Sequence, residues 1–202
     1  MDGMKLTDND VLESAKVTRD DLMGLFESGK SFVAHCLKDG GKMGFTPTLI
    51  IMARASVSSE PIRVMVVIGT DFNEWQEKSG ILRRMGAEFY DKKLLPMAAV
   101  MASECWVSKQ CDKDNITQPR HDPNKKEAIQ VSCATLFTLP RMAFGELAMV
   151  TRASDETMLV ESWDHFQEHG VNGLTLEMNL LEQVRVGFIE SVKKRLGGFS
   201  PN

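Results

Sequence analysis

The chain lacks the features that identify several large classes of protein. It has one tyrosine and 7% aromatic residues, too few for the stacking platform of an RNA-binding sheet. Its longest apolar runs, such as residues 64–68, fall far short of the ~20 residues that a membrane helix needs. Its net charge is −4, and lysine and arginine are spread along all 202 residues. We therefore expect no membrane partner, and the charge distribution argues against a nucleic-acid partner.

Short functional motifs are also missing. No pair of the four cysteines has the C-x-x-C spacing of a redox or zinc motif. The P-loop, the G-x-G-x-x-G loop and the G-x-S-x-G elbow do not occur. The N-terminal residues contain no apolar stretch of signal-peptide length. We expect a cytoplasmic protein without a cofactor or a bound metal.

What is present is an ordinary globular composition, with 43% hydrophobic and 26% charged residues. A chain of this length can bury a sufficient core without metals or disulfides. We predict a single α+β domain over residues 1–202, in which residues 1–17 form a flexible or short helical extension.

Three segments carry apolar residues at three- and four-residue spacing, which is typical of helices with one buried face. The first begins at Thr18, a suitable N-cap residue. The second begins at Asp71 and contains Gly80 and Gly86, where a kink can form. The third covers residues 175–196 and ends in basic residues that suit the negative end of a helix.

Six further segments are rich in β-branched or other apolar residues and predict strands. They cover residues 48–56, 62–70, 97–109, 128–139, 142–152 and 158–163. Turn residues between the first two predict a hairpin. Pro96 closes the segment that precedes the third strand.

The resulting order is α-β-β-α-β-β-β-β-α. We predict a mixed, mainly antiparallel sheet of five to six strands with three main helices on one face, and the helix after the second strand permits one parallel crossover. Leu49 and Ile51 alternate with Ile50 and Met52, so the first strand is apolar on both faces. Either helices cover both faces, or a second copy of the chain covers one of them.

The most distinctive segment is the polar loop 110–125, because loops of this length are uncommon inside a compact domain and are often functional. It contains Arg120, His121 and Asp122, and Glu104 lies just upstream on a predicted strand. One hypothesis makes Glu104, His121 and Asp122 catalytic, with His121 as general base or metal ligand oriented by Asp122, and with Arg120 binding an anion. The alternative is a solvated loop, since Asp-Pro-Asn is ordinary turn chemistry.

Four residues outside this loop are also candidates for a functional role. Glu104 and Glu146 each interrupt an apolar strand, where burial would favour the protonated form that can act as an acid. The alternative for each is a carboxylate that faces water or pairs with a lysine or arginine. His165 and His169 have the i, i+4 spacing that binds zinc on a helix, but the H-E-x-x-H pattern is absent and a surface turn is the alternative.

These features leave two functions open. The first is a non-catalytic cytoplasmic domain that acts through binding or homo-oligomerisation. The second is a hydrolase or metal-dependent enzyme that uses Glu104, His121 and Asp122. Nucleic-acid binding ranks third, because acidic residues dilute the basic ones of the loop.

Overall fold

A computed structural model describes residues 15–38, 45–55, 59–68, 75–107, 126–152, 158–165 and 176–197. The helices are α1 (Arg19–Lys38), α2 (Trp75–Asp91) and α3 (Leu176–Gly197). The strands are β1 (Thr48–Arg54), β2 (Ile62–Val67), β3 (Leu95–Val107), β4 (Lys126–Thr135), β5 (Ala143–Arg152) and β6 (Met158–His165). The α+β class and the order of elements are thereby confirmed. The predicted helix start at Asp71, the loop 110–125 and most of the predicted N-terminal extension lie outside the described residues.

The start of α1 follows the prediction for Thr18. The Asp21 N–H donates to Thr18 Oγ1 at 3.1 Å, and the Thr18 N–H donates to Asp21 Oδ2 at 3.1 Å. This reciprocal pair is a capping box with aspartate at its third helical position. It satisfies two backbone donors and gives the helix a defined first turn.

All six strands form one sheet, in the order β2-β1-β3-β4-β5-β6. Every neighbouring pair is antiparallel, so the sheet contains no parallel pair of neighbours. The crossover through α2 does connect two parallel strands, β2 and β3, but β1 lies between them. Pro96 lies inside β3 rather than before it, next to a bulge in the ladder with β1, where a residue without an N–H is tolerated.

Helices cover both faces of the sheet. The prediction of helices on one face is therefore wrong, and the alternative of helices on both faces is confirmed. Helix α1 packs on the face that carries Ile50, Val100 and Val131. Helices α2 and α3 pack on the opposite face, which carries Ile51 and Met101. Two apolar layers result because successive residues of an unbroken apolar strand point in opposite directions.

Helices α2 and α3 meet at two glycines. A Cβ added to Gly86 would lie 2.0 Å from the Val184 carbonyl oxygen, and one added to Gly187 would lie 1.9 Å from the Arg83 carbonyl oxygen. Gly86 therefore permits close packing of two backbones, and α2 runs unbroken through both glycines that predicted a kink. A Cβ at Gly80 would meet no atom of the residues in the described ranges within 4 Å.

Candidate functional site

The two edge strands of the sheet are β2 and β6, and β2 is the more apolar. Its Ile62, Met65 and Val67 side chains are 46%, 53% and 57% exposed. Val64 and Val66 are half-buried and pack against the core below α2 and α3. Among the described strands, β2 pairs with β1 alone, so its outer side offers backbone hydrogen-bonding groups flanked by exposed apolar side chains.

Natural proteins protect edge strands with charges and bulges that discourage pairing with another chain. Strand β6 has both devices, since its ladder with β5 shifts register beside Val150 and the exposed Glu161 lies on it. Strand β2 pairs with β1 in regular register over its six residues. Its single charge, Arg63, folds back onto α1. None of the strands in the described ranges therefore covers the outer side of β2, where another strand can pair.

An open groove of about 580 Å³ lies between α1 and the strands β1 and β2. Phe32, Ile50 and Met65 supply its apolar lining. The polar part of the lining consists of Gly24, Glu27, Ser28, Ser31, His35 and Arg63. The volume lies within the range of ~300–1,000 Å³ found for small-molecule sites.

Arg63 is held over the helical side of this groove. Its Nη1 donates to Ser28 Oγ at 2.7 Å, and that hydroxyl donates in turn to the Gly24 carbonyl oxygen at 2.7 Å. The Nη2 atom is 3.7 Å from the place that a Cβ on Gly24 would occupy. The guanidinium therefore rests on the helix surface with one of its five N–H groups engaged by Ser28.

A buried ion pair lies on the same face of the sheet. Lys30 Nζ of α1 is 2.6 Å from Glu146 Oε2 of β5, and the Glu146 side chain is 7% exposed. The Lys30 ammonium also lies 4.9 Å from the Trp163 ring centroid and 5.7 Å from that of Phe26. Two aromatic rings and the carboxylates of Glu146 and, at 3.6 Å, Glu27 thus lie around one ammonium, which cation–π attraction stabilises further.

Desolvation by itself lowers the pKa of Lys30. The hydrogen bond and the charge of Glu146, helped by Glu27, outweigh that effect and hold the pKa of Lys30 above its ordinary value. Lys30 therefore stays charged at physiological pH, and the pair fastens α1 to β5. For Glu146 the prediction of a pairing with lysine or arginine is the one that the structure bears out.

Of the predicted catalytic residues, the structure describes only Glu104. Glu104 lies on the α1 side of the sheet near the end of β3, where its side chain is exposed to water. Its Oε1 accepts a hydrogen bond from the Phe45 N–H. Arg120, His121 and Asp122 lie outside the described residues, so their meeting with Glu104 stays a prediction. Since the Glu104 side chain is exposed, the burial invoked for an acid catalyst does not apply to it.

The first residue of the predicted pair of histidines, His165 and His169, does not lie on a helix. His165 is the last residue of strand β6, so a helix does not present it at i, i+4 to His169, which lies outside the described residues. Within the described ranges, no group of three histidine, cysteine or acidic side chains gathers in the manner of a metal site. None of the helices described there combines the length and the apolar character of a membrane span.

Sequence reasoning missed Lys30, Arg63 and the edge position of β2. Lys30 carried a usable signal, because it falls within the apolar stripe of α1, one turn after Phe26. A lysine at such a position needs a buried acceptor. The sequence gives no comparable signal for Arg63, since one arginine in an apolar strand does not reveal which strand lies at the edge of the sheet.

Comparison of the chain with protein-family models, with curated proteins and with solved structures found no match. The features that bear on function are the β2 edge, the groove and the charges beside them.

Proposed function

We propose that the protein is a binding domain that self-associates through the outer edge of β2. The observation that carries this proposal is the exposure of three apolar side chains, Ile62, Met65 and Val67, on a regular edge strand. Pairing with another strand would satisfy the backbone groups of the edge and remove these side chains from water. The occupant that we infer is a second copy of the same chain.

A second copy fits because a two-fold interface requires a surface that is complementary to itself. In an antiparallel pair centred on Met65, each Met65 lies opposite its counterpart, and Val64 lies opposite Val66. Directly opposite residues project to the same face of a sheet. Met65 would then contact Met65 on the α1 side, and the valines would meet on the side of α2 and α3.

The charge on β2 selects among registers. Two copies paired on residue 63 would bring two Arg63 side chains together, which is destabilising. Pairing centred on Met65 places each Arg63 opposite an exposed Val67 instead. Arg63 is already folded toward Ser28, which leaves room for Val67 of the other copy.

Variants at Val67 test both the interface and its register, with particle mass measured by light scattering and the dissociation constant by sedimentation equilibrium. Val67→Lys sets a lysine opposite each Arg63, and we expect the dimer to weaken about tenfold or more from two like-charge contacts. Val67→Glu sets a carboxylate there, and we expect a dimer at least as tight as the wild type. Combining Val67→Lys with Arg63→Glu should restore association.

The matched control is Leu139→Lys. Leu139 is 77% exposed but lies in the connection between β4 and β5, away from the edge strand. We expect no change in the mass of this variant. A wild-type protein that is monomeric up to its highest soluble concentration refutes self-association, and equal effects of lysine and glutamate at residue 67 refute the register.

A cytoplasmic location is part of the same proposal. It is supported by Cys133, a thiol buried in the core below α1, and by the composition of the chain. Burial raises the pKa of the Cys133 thiol, so the thiolate that would react with other thiols is scarce. Fractionation of cells that express the tagged chain tests the location, and recovery in a secreted fraction contradicts it.

A hydrolase or metal-dependent activity through Glu104, His121 and Asp122 stays a separate prediction. Its test is metal analysis of the purified protein together with the Asp122→Asn variant. Stoichiometric metal that this variant loses would favour the enzyme over the binding domain.

A further inference from the structure

The groove beside β2 joins one fixed cation to an apolar lining. We propose that it binds a small amphipathic carboxylate, with the carboxylate on Arg63 and the apolar part along Phe32, Ile50 and Met65. This inference does not rest on self-association, because the groove lies between elements of a single chain.

Arg63 is suited to the carboxylate. Its guanidinium is a planar fork that stays charged at all physiological pH values and can donate two parallel hydrogen bonds. Ser28 engages one N–H group at 2.7 Å and so fixes the side chain. A preorganised arginine loses less conformational entropy when it binds an anion.

Among the described residues that line the groove, Glu27 supplies the one carboxylate. One of its oxygens lies 3.6 Å from Lys30 Nζ, so its charge is partly directed to that lysine. Glu27 is also mostly exposed, which allows solvent to screen it from Arg63. The local charge at Arg63 therefore favours an anion over a cation.

The apolar lining accounts for the second half of the ligand. Ile50 is buried and lies beside Phe32, while Met65 is half-exposed at the outer wall. Met65 has a flexible side chain that adapts to irregular apolar ligands. An apolar chain laid along Phe32 and Met65, above the buried Ile50, would cover surface that is otherwise exposed to water.

The experiment is calorimetric titration with sodium decanoate, with decyltrimethylammonium as a cation of similar apolar length. We expect saturable decanoate binding and at least about tenfold weaker binding of the cation. Arg63→Gln should weaken decanoate by about tenfold or more and leave decanol unchanged. Arg84→Gln, which removes an exposed arginine from α2, is the matched control and should change nothing.

Three outcomes would overturn the inference. The first is that decanoate and the cation bind equally well. The second is that Arg63→Gln leaves the affinity for decanoate unchanged. The third is that a peptide with an apolar C-terminus binds tightly while decanoate does not bind. The Val67→Lys variant is titrated alongside, with its mass measured. Decanoate binding by a monomeric variant supports the groove independently of the dimer, and a dimer that does not bind decanoate refutes the groove alone.

Discussion

Replacing Gly86 by alanine should destabilise the fold, although alanine is the better helix former. A Cβ at residue 86 would lie 2.0 Å from the Val184 oxygen and 2.8 Å from the Phe188 nitrogen. Ordinary non-bonded contacts need roughly 3.5 Å, so α2 and α3 would have to separate by more than about 1 Å. Both atoms in the way belong to the backbone, so no side-chain rotation relieves the overlap.

The size of the effect follows from what the separation costs. A gap of 0.5–1 Å forfeits roughly a quarter to a half of the dispersion energy across a contact. Leu82 and Phe89 of α2 and Leu180 of α3 belong to the same core and would lose contacts. Overpacking of this kind lowers the free energy of unfolding by about 3 kcal/mol. The higher helix propensity of alanine raises it by about 1 kcal/mol. We expect a net loss of about 2 kcal/mol in the free energy of unfolding.

Gly80→Ala is the matched control in the same helix. A Cβ there meets no atom within 4 Å in the part of the chain that the structure describes. We therefore expect the higher helix propensity of alanine to raise the free energy of unfolding by about 0.5–1 kcal/mol. The two variants should differ by about 3 kcal/mol, or roughly 6–12 °C in melting temperature. The assay is thermal unfolding followed by circular dichroism at one fixed protein concentration, because self-association raises apparent stability. A Gly86→Ala protein that melts at or above Gly80→Ala would refute the close approach of the two helices.

The remaining predictions concern charge and backbone conformation. Lys30→Met should lower the free energy of unfolding by about 3 kcal/mol, because it leaves the Glu146 carboxylate buried without its ammonium partner. Adding Glu146→Gln should recover most of this loss, as measured by urea unfolding. The control is Lys92→Met, which replaces a side chain that is 69% exposed and should change the free energy of unfolding by less than about 0.5 kcal/mol. The pKa of Lys30 is raised above its ordinary value of 10.5. Its contribution to the free energy of unfolding should therefore be fully present below that pH and disappear as the pH rises through the folded-state pKa. A difference in stability between the wild type and Lys30→Met that already fades at neutral pH would contradict this. Lys93 has a φ of 57°, a region that favours glycine, so Lys93→Gly should stabilise the protein by about 0.5–1 kcal/mol, whereas Lys92→Gly should not.

Local patterns in the chain were sufficient for the elements themselves. The stripe of α1 and its capping residue Thr18 placed the helix within a residue of its observed start. The β-branched runs placed the strands to within a few residues at most ends, because periodicity and capping depend only on near neighbours. The predicted boundaries were wrong where a partner distant in sequence decides them. The start of β3 is one example, because a bulge in its ladder with β1 allows Pro96 to lie inside the strand.

The candidate sites depended much less on local pattern. Glu146 could be recognised as an unusual position, but its partner Lys30 is far away in sequence and reaches it only because α1 crosses the sheet above β5. The sequence predicts a weak point of the helix at Gly86, whereas in the structure Gly86 permits close contact with the Val184 backbone. In both cases the energy comes from contacts between elements that no short window contains.

The amino-acid sequence alone determined the class of fold, the order of its elements and the two apolar faces of β1, since each follows from residue spacing along the chain. Only the tertiary structure decided the strand order, which leaves β2 at an edge, and the side of the sheet on which each helix lies. Strand pairing and helix packing minimise exposed apolar surface over the whole molecule. They therefore bring Arg63 beside Ser28 and Lys30 beside Glu146, which the spacing of residues could not reveal.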